Sequence, residues 1–345
     1  MMVTKTVHGI LPNKEEATLY TLKIGQYEAQ VSSYGATWVK MVAPDKHGTP
    51  GNVVLGFDDV DSYLNNTAFY GATVGRFANR IDKGTFKING VAYHIPCYEK
   101  GINALHGGTI GFDKRNWTAL TTEADGAPGV HFSLYSPDGE MGFPGHMRAY
   151  VDYVLKPSGK LEITFIATCD KKCPINLTNH AYFNLNGKGD ILSHQLQLDC
   201  DRYVPVNNKT LIPSGEIKQV RHTPFDFTEM KEIGKEIAKT EGGYDHCMVI
   251  TDTSDSLRRC AKVWDPVSGR TMEVFTTMPG VQFYSGNFLE GKDIGREGHA
   301  YNKHGGFCLE TEHFPNAMNH PNFPNCIQEP GEQYKHKTVF KFGVE

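Results

Sequence analysis

Two carboxylates and one imidazole stand out as groups able to move protons. Glu310 and Glu312 lie two apart in the segment GFCLETEHFPNAMNHPNFP, which ends at Pro324. Its first half alternates as a strand does, so Cys308, Glu310 and Glu312 share one face and Leu309 and Thr311 the other. Its second half is a loop of Pro, Asn, His and Phe. Carboxylates leaving an apolar strand for an amide-rich, aromatic loop point to a site for a neutral, polyhydroxylated ligand. His180, in TNHAYFNLNG (Thr178 to Gly187), adds an imidazole that titrates at about pH 6.5 and can exchange protons at cellular pH. A carboxylate base with an imidazole acid is a pairing that opens a sugar ring. If extended, that segment puts His180, Tyr182 and Asn184 on one face and Asn179, Ala181 and Phe183 on the other. Spacing alone chooses neither between Glu310 and Glu312 nor between a catalytic and a structural histidine.

Four further clusters could hold such a ligand. GRFANRI (Gly75 to Ile81) sets Arg76 and Arg80 four apart, with Asn79 beside Arg80, and arginine forks suit hydroxyl or carboxylate oxygens. NALHGG (Asn103 to Gly108) carries His106 on a loop whose glycines let backbone approach a ligand. In YDHCMVI, Asp245 precedes an apolar strand, where it can grip a hydroxyl pair or close a turn on its own backbone. In PGVQFYSGNFL, Gln282 sits between Val281 and Phe283, and a buried glutamine must find partners. No phosphate-binding glycine loop is present.

The elements that must position these groups read as strands. Leu161, Ile163 and Phe165 alternate with Glu162 and Thr164, and Met147 to Leu155 repeats the pattern. Asn89-Gly90 joins Phe86 and Ile88 to Val91, Tyr93 and Ile95 as a two-residue hairpin turn. Helical signal is confined to Phe227–Lys239, where Asp226 or Thr228 could cap and Ile233 and Ile237 are four apart. With 36 glycines and 18 prolines spread along 345 residues and no linker or repeat, the pattern predicts an all-β fold. The expectation is one large antiparallel β-sandwich, with residues 1–345 forming a single domain. A net charge of -4 without a basic run excludes a nucleic-acid footprint. No stretch is apolar enough for a membrane span, and the N-terminal residues lack a secretory pattern, so a soluble, cytoplasmic protein is expected. The 8 cysteines show no CxxC, and Cys169 with Cys173 lacks a second ligand pair, so reduced thiols and no metal site are expected.

Taken in order, GRFANRI, NALHGG, TNHAYFNL, YDHCMVI, PGVQFYSGNFL and the LETEHFPNAMNHPNFP segment resemble the aldose 1-epimerases, or galactose mutarotases. The similarity runs on to PGEQYKHKTVFKF near the C-terminus and so covers nearly the whole chain. The resemblance implies a galactose mutarotase-like sandwich that interconverts the anomers of free galactose and glucose without a cofactor. It implies that Glu310 is the general base and His180 the general acid. It places Asn79, Arg80, His106, Asp245 and Gln282 among the sugar-binding residues. The implied partner is a small sugar, with the protein a monomer or weak dimer. A non-catalytic sugar-binding protein and a glycoside-active enzyme on the same fold are the alternatives. Glu312 stands where relatives often carry glutamine, and Ala181 where they often carry a small hydroxyl residue. Glu312 would either raise the proton affinity of Glu310 by like-charge repulsion or point to solvent.

Overall fold

Alternating apolar residues build the largest sheet, which has nine strands in the order Thr118–Ala124, Ala127–Ser136, Met147–Lys156, Lys160–Cys169, Gln333–Val344, Arg270–Thr276, Arg258–Trp264, Gln195–Leu198 and Lys231–Glu232. Every neighbouring pair in it is antiparallel. Its inner face carries Phe132, Val151, Tyr153, Ile163, Phe165, Val274 and Phe340, all in the main core. A five-stranded sheet from Met2–Ile10 through Pro50–Asn52 adds Leu22, Val31, Trp38 and Met41 to that core. Trp38 packs on Phe183 and Phe340 with ring centroids 5.5 and 5.2 Å apart. A third sheet, in the order Lys218–Gln219, Cys200–Tyr203, Asp245–Ile250, Gly280–Tyr284 and Cys308–Glu312, contributes Met248, Ile250, Val281, Phe283 and Leu309 to the same core. The computed structural model describes residues 2–345, and the architecture is the expected antiparallel sandwich. Among the described residues, no helix is long and apolar enough to cross a membrane.

The predicted hairpin forms, with Thr85–Ile88 paired to Val91–His94 and both Asn89 (φ 50°) and Gly90 (φ 83°) left-handed. The predicted helix over Phe227–Lys239 does not. Lys231–Glu232 joins the edge of the nine-stranded sheet, and Ile233–Lys235 and Ile237–Lys239 are single 3-10 turns. The reason is local competition for donors. The Ile233 and Gly234 N–H groups donate to the carbonyls of His194 and Leu192, so they cannot close helical turns. Ile233 is buried against the sheet instead of on a helix stripe.

Candidate active site

The third sheet sets out the site by register. Gln282 lies opposite Glu310 and beside Cys247, while Tyr284 lies opposite Cys308 and beside Asp245. With side chains alternating, Asp245, Cys247, Gln282, Tyr284, Cys308, Glu310 and Glu312 share the face away from the main core. The predicted shared face of Cys308, Glu310 and Glu312 is therefore present. Over this face sits a cavity of about 270 Å³, lined by Glu310, His180, His106, Arg80, Asn79, Asp245 and Gln282 together with Glu99, Phe69, Tyr182, Tyr284 and Phe288. All seven residues singled out as base, acid or sugar ligands thus converge on one cleft.

His180 is reached from a segment that is only briefly extended. Thr178–Asn179 pairs with Thr73–Val74, after which single bridges tie Phe183 to Val54 and Phe307. His180 and Tyr182 face the cleft, as alternation requires, but Asn184 does not. Its Nδ2 donates to the carbonyls of Gly189 and Gly305 and holds the loop below. His180 Nε2 stands 3.7 Å from Glu310 Oε1, and its Nδ1 stands 3.6 Å from Cys308 Sγ. Phe69 stacks near its ring at 5.8 Å and 27°. Burial pulls the His180 pKa down to about 4, against a smaller upward pull from Asp245. Burial, with Asp245 adding, pushes Glu310 well above the usual carboxylate range, while Arg80 works against the shift. Burial thus disfavours charge on both members of the pair.

His106 is held as a donor. The Asn79 N–H donates to its Nδ1 at 3.1 Å, which places the neutral ring's proton on Nε2. Burial, with His180 and Arg80 adding, holds its pKa well below the ordinary value. The glycine after it serves the fold. A Cβ on Gly107 (φ 92°) would lie 1.8 Å from the Gly75 carbonyl, so the close approach is between two loops. Asn79 (φ 65°) is engaged at both ends of its amide: Oδ1 accepts from the Arg80 N–H and Nδ2 donates to Glu312 at 2.9 Å.

Arg80 and Asp245 form the charged end of the cleft. Glu99 Oε1 accepts from Arg80 Nε and Nη2, each at 2.8 Å, and Arg80 Nη2 lies 3.5 Å from Asp245 Oδ2. Burial opposes the Arg80 charge, but Asp245 and Glu99 outweigh it and raise its pKa. Gln282 Nε2 donates to Asp245 Oδ1 at 2.6 Å, while its buried Oε1 has no protein partner. Arg76, the other arginine of the motif, is turned away. Its guanidinium donates to the carbonyls of Ser136, Pro137, Pro144 and Gly145 and to the Ser136 hydroxyl, a wholly structural role. Sequence reasoning missed Glu99, Phe69 and Phe288, because each comes from an irregular loop with no periodic signal. Glu312 does not point to solvent: it is 0% exposed. Ligand-type atoms of His106, His180 and Glu310 lie within 4.8 Å of one another. That convergence also suits proton transfer on a single bound molecule.

The antiparallel sandwich thus holds a buried carboxyl, two imidazoles and further polar groups in one cleft, an arrangement suited to acid–base chemistry on a polyhydroxylated ligand. The model of the Aldose 1-epimerase family matches residues 18–341. The galactose mutarotase of Rattus norvegicus is 43% identical over 99% of both chains. The crystal structure of the GalM/aldose epimerase homologue from C. elegans superposes with a TM-score of 0.87 at 30% identity, covering 95% of this chain and 99% of that one. That of galactose 1-epimerase from Lactobacillus acidophilus NCFM also gives 0.87, at 25% identity over 99% of both chains. The chain belongs to the aldose 1-epimerase family.

Proposed function

We propose that this protein is a mutarotase, which interconverts the α and β anomers of free hexoses such as galactose and glucose. Residues 1–345 act as one mutarotase domain, with Glu310 as general base and His180 as general acid. The observation that carries this reading is the buried Glu310–His180 pair at 3.7 Å in the cleft. Glu310 takes the proton of the anomeric O1 hydroxyl. The C1–O1 carbonyl forms, the C1–O5 bond breaks, and O5 keeps the electron pair and takes a proton from His180. The open-chain aldehyde turns about C1–C2, and O5 attacks the other carbonyl face. His180 then recovers its proton and Glu310 returns one to O1. Each proton-transfer step is worth about 10²–10⁴-fold.

The pair passes one mobile proton back and forth. A closed ring calls for charged His180 and charged Glu310, whereas the aldehyde meets both in neutral form. Burial favours the neutral form, so the dry cleft favours the proton state that accompanies the opened ring. His106 Nε2–H donates to a sugar oxygen, Asp245 accepts from hydroxyls far from C1, and Arg80 and the free Gln282 Oε1 complete the grip. Asn79 acts mainly by orienting His106 and Glu312. We expect a cytoplasmic monomer or weak dimer, and light scattering on the purified protein checks the assembly.

Polarimetry on freshly dissolved α-D-galactose and α-D-glucose tests the reading. Faster approach to the same final rotation is expected, and the ratio of rates gives the preference. Binding of both sugars without acceleration would overturn it in favour of a binding protein. Release of reducing sugar from an oligosaccharide would mark a glycosidase instead.

A further inference from the structure

Glu312 is a buried carboxyl with no role in the steps above. It lies on the same face as Glu310, two residues along the same strand, and is 0% exposed against 3% for Glu310. Across the sheet it meets Gly280, so no side chain on the neighbouring strand opposes it. Above Gly280 the space belongs to Cys247 and Phe314. Asn79 Nδ2 donates to its Oε1, and the Asn79 amide cannot flip because Oδ1 accepts from the Arg80 N–H. Two buried carboxyl oxygens then remain without partners, Glu312 Oε2 and Glu310 Oε2, one on each of the two glutamates.

We infer that Glu312 is a positioning residue for the base: it stays a neutral carboxylic acid, and its Oε2–H donates to Oε2 of ionised Glu310. This accounts for both unpartnered oxygens with one hydrogen bond. It leaves Glu310 Oε1 free to face His180 and the sugar. The surroundings agree. The ionisable groups around Glu312 are Glu310 on its own strand, Asp245 and Cys247 on the strand Asp245–Ile250, Arg80 on the two-residue strand Arg80–Ile81, and Tyr334 on Gln333–Val344. Of these only Arg80 is a cation, and its near contacts are Glu99 and Asp245. Burial first and Glu310 second push Glu312 well above the usual carboxylate range, outweighing Asn79. Two adjacent buried carboxyls with no cation in contact do not both ionise. Glu310 opens onto the cleft and Glu312 does not, so Glu310 is the one that gives up its proton.

The inference rests on the assignment of Glu310 as base, and the test separates the two. Glu312→Gln can still accept from Asn79 and donate an amide N–H to Glu310. Glu312→Met fills the space and donates nothing. The acid limb of kcat/KM against pH, measured by polarimetry, reports the Glu310 ionisation. It is expected to stay in place in Glu312→Gln and to move up by about one pH unit or more in Glu312→Met. A downward move in both variants would mean that Glu312 is ionised in the native protein and would overturn the inference. So would an unmoved limb in Glu312→Met. Infrared difference spectra of the sugar-free protein give a second readout. At a pH above the acid limb, where Glu310 is ionised, the band of a protonated carboxyl is expected in wild type and absent from Glu312→Gln, and its persistence there would overturn the assignment. A wild-type protein that does not mutarotate sugars would instead fault the base assignment, and the infrared result would still report on Glu312.

Discussion

Replacing Glu310 by glutamine should damage catalysis and stabilise the fold. The side chain is 3% exposed, its Oε2 has no partner, and its Oε1 has only the 3.7 Å approach of His180. An under-partnered buried polar atom costs about 1–3 kcal/mol, more when charged. Glutamine keeps the volume and removes the charge, so most of that cost is recovered. If Glu312 donates to Glu310, the lower end applies. At about 2.1 cal/mol/K of unfolding entropy per residue, a chain of 345 residues converts this into a Tm rise of about 1–4 °C. The sign with pH follows from linkage. Burial raises the folded pKa of Glu310 above its ordinary value of 4.5, so the native state holds a proton that the unfolded chain has lost. The cost is absent below about pH 4.5 and grows as pH rises toward the folded value. The Tm gain of Glu310→Gln should therefore vanish in acid and grow toward neutrality. Over the same range kcat should fall by about 10²–10⁴-fold with KM little changed. Scanning calorimetry at several pH values and polarimetry on one preparation measure both. Near-normal turnover would remove Glu310 as base, and a Tm loss of several degrees at neutral pH would refute the account of its burial.

Further expectations concern the acid, the frame, the mouth of the cleft and acid stability. His180→Gln should lower kcat by about 10²–10⁴-fold, and retention of half the wild-type rate would reassign the acid. Arg76→Met strands four backbone carbonyls and should cost about 3 kcal/mol or more in urea unfolding, without altering kcat of the folded fraction. Phe288 lines the cleft at 61% exposure, so Phe288→Ala should raise KM by about tenfold through lost contact with the sugar, leaving kcat near wild type. Burial depresses His8, His180, His194 and His336 to about 4 and His313 to about 3. The unfolded chain takes up protons at these sites below pH 6.5 before the native state does, so stability falls on acidification from 6.5 toward 4. Glu310, Glu312 and Asp113, raised by burial, oppose the fall, which should net about 1–3 kcal/mol per pH unit in urea melts at pH 7, 6 and 5. A flat profile would show that the imidazoles are not held neutral.

The fold was legible wherever alternation is strict. Leu161, Ile163 and Phe165 could face only one way, and the sheet uses them so. Phe227–Lys239 misled because Ile233 and Ile237 have helical spacing, while the donors of Ile233 and Gly234 go to carbonyls about 40 residues upstream, which no local pattern encodes. The site divides in the same way. Strand-borne Glu310 could be placed on a face with Cys308 and Glu312 from sequence, whereas Asp245 and Gln282 join that face only through the register of the sheet. Loop-borne groups could not. Arg76 and Arg80 look equivalent four residues apart, but one is spent on carbonyls and the other enters the cleft. Glu99, which holds Arg80, carries no signal, because the contact joins two irregular segments.

The arrangement separates binding from proton transfer along the sheet. Strands lie about 4.8 Å apart, so two spacings put the Asp245 strand about 10 Å from the Glu310 strand, a distance comparable to a pyranose with its hydroxyls. At the far end, Arg80 lies against Glu99 and Asp245, which raise its pKa, with Gln282 donating to the Asp245 carboxyl. Such groups grip hydroxyls without changing their proton state. At the near end, among the described residues no lysine or arginine makes an ion pair with Glu310, and His180 has the Glu310 carboxyl at 3.7 Å and the Cys308 thiol at 3.6 Å. A base gripped by an arginine would lose its affinity for the O1 proton. Sparse partnering at that end is thus a requirement of the reaction. Asp245→Asn tests the division: weakened hydroxyl binding should raise KM by about tenfold or more. Loss of the Asp245 charge should also move the acid limb of Glu310 downward, since that charge raises its pKa. An acid limb that moves upward in Asp245→Asn would show that the two ends are not electrostatically arranged as described.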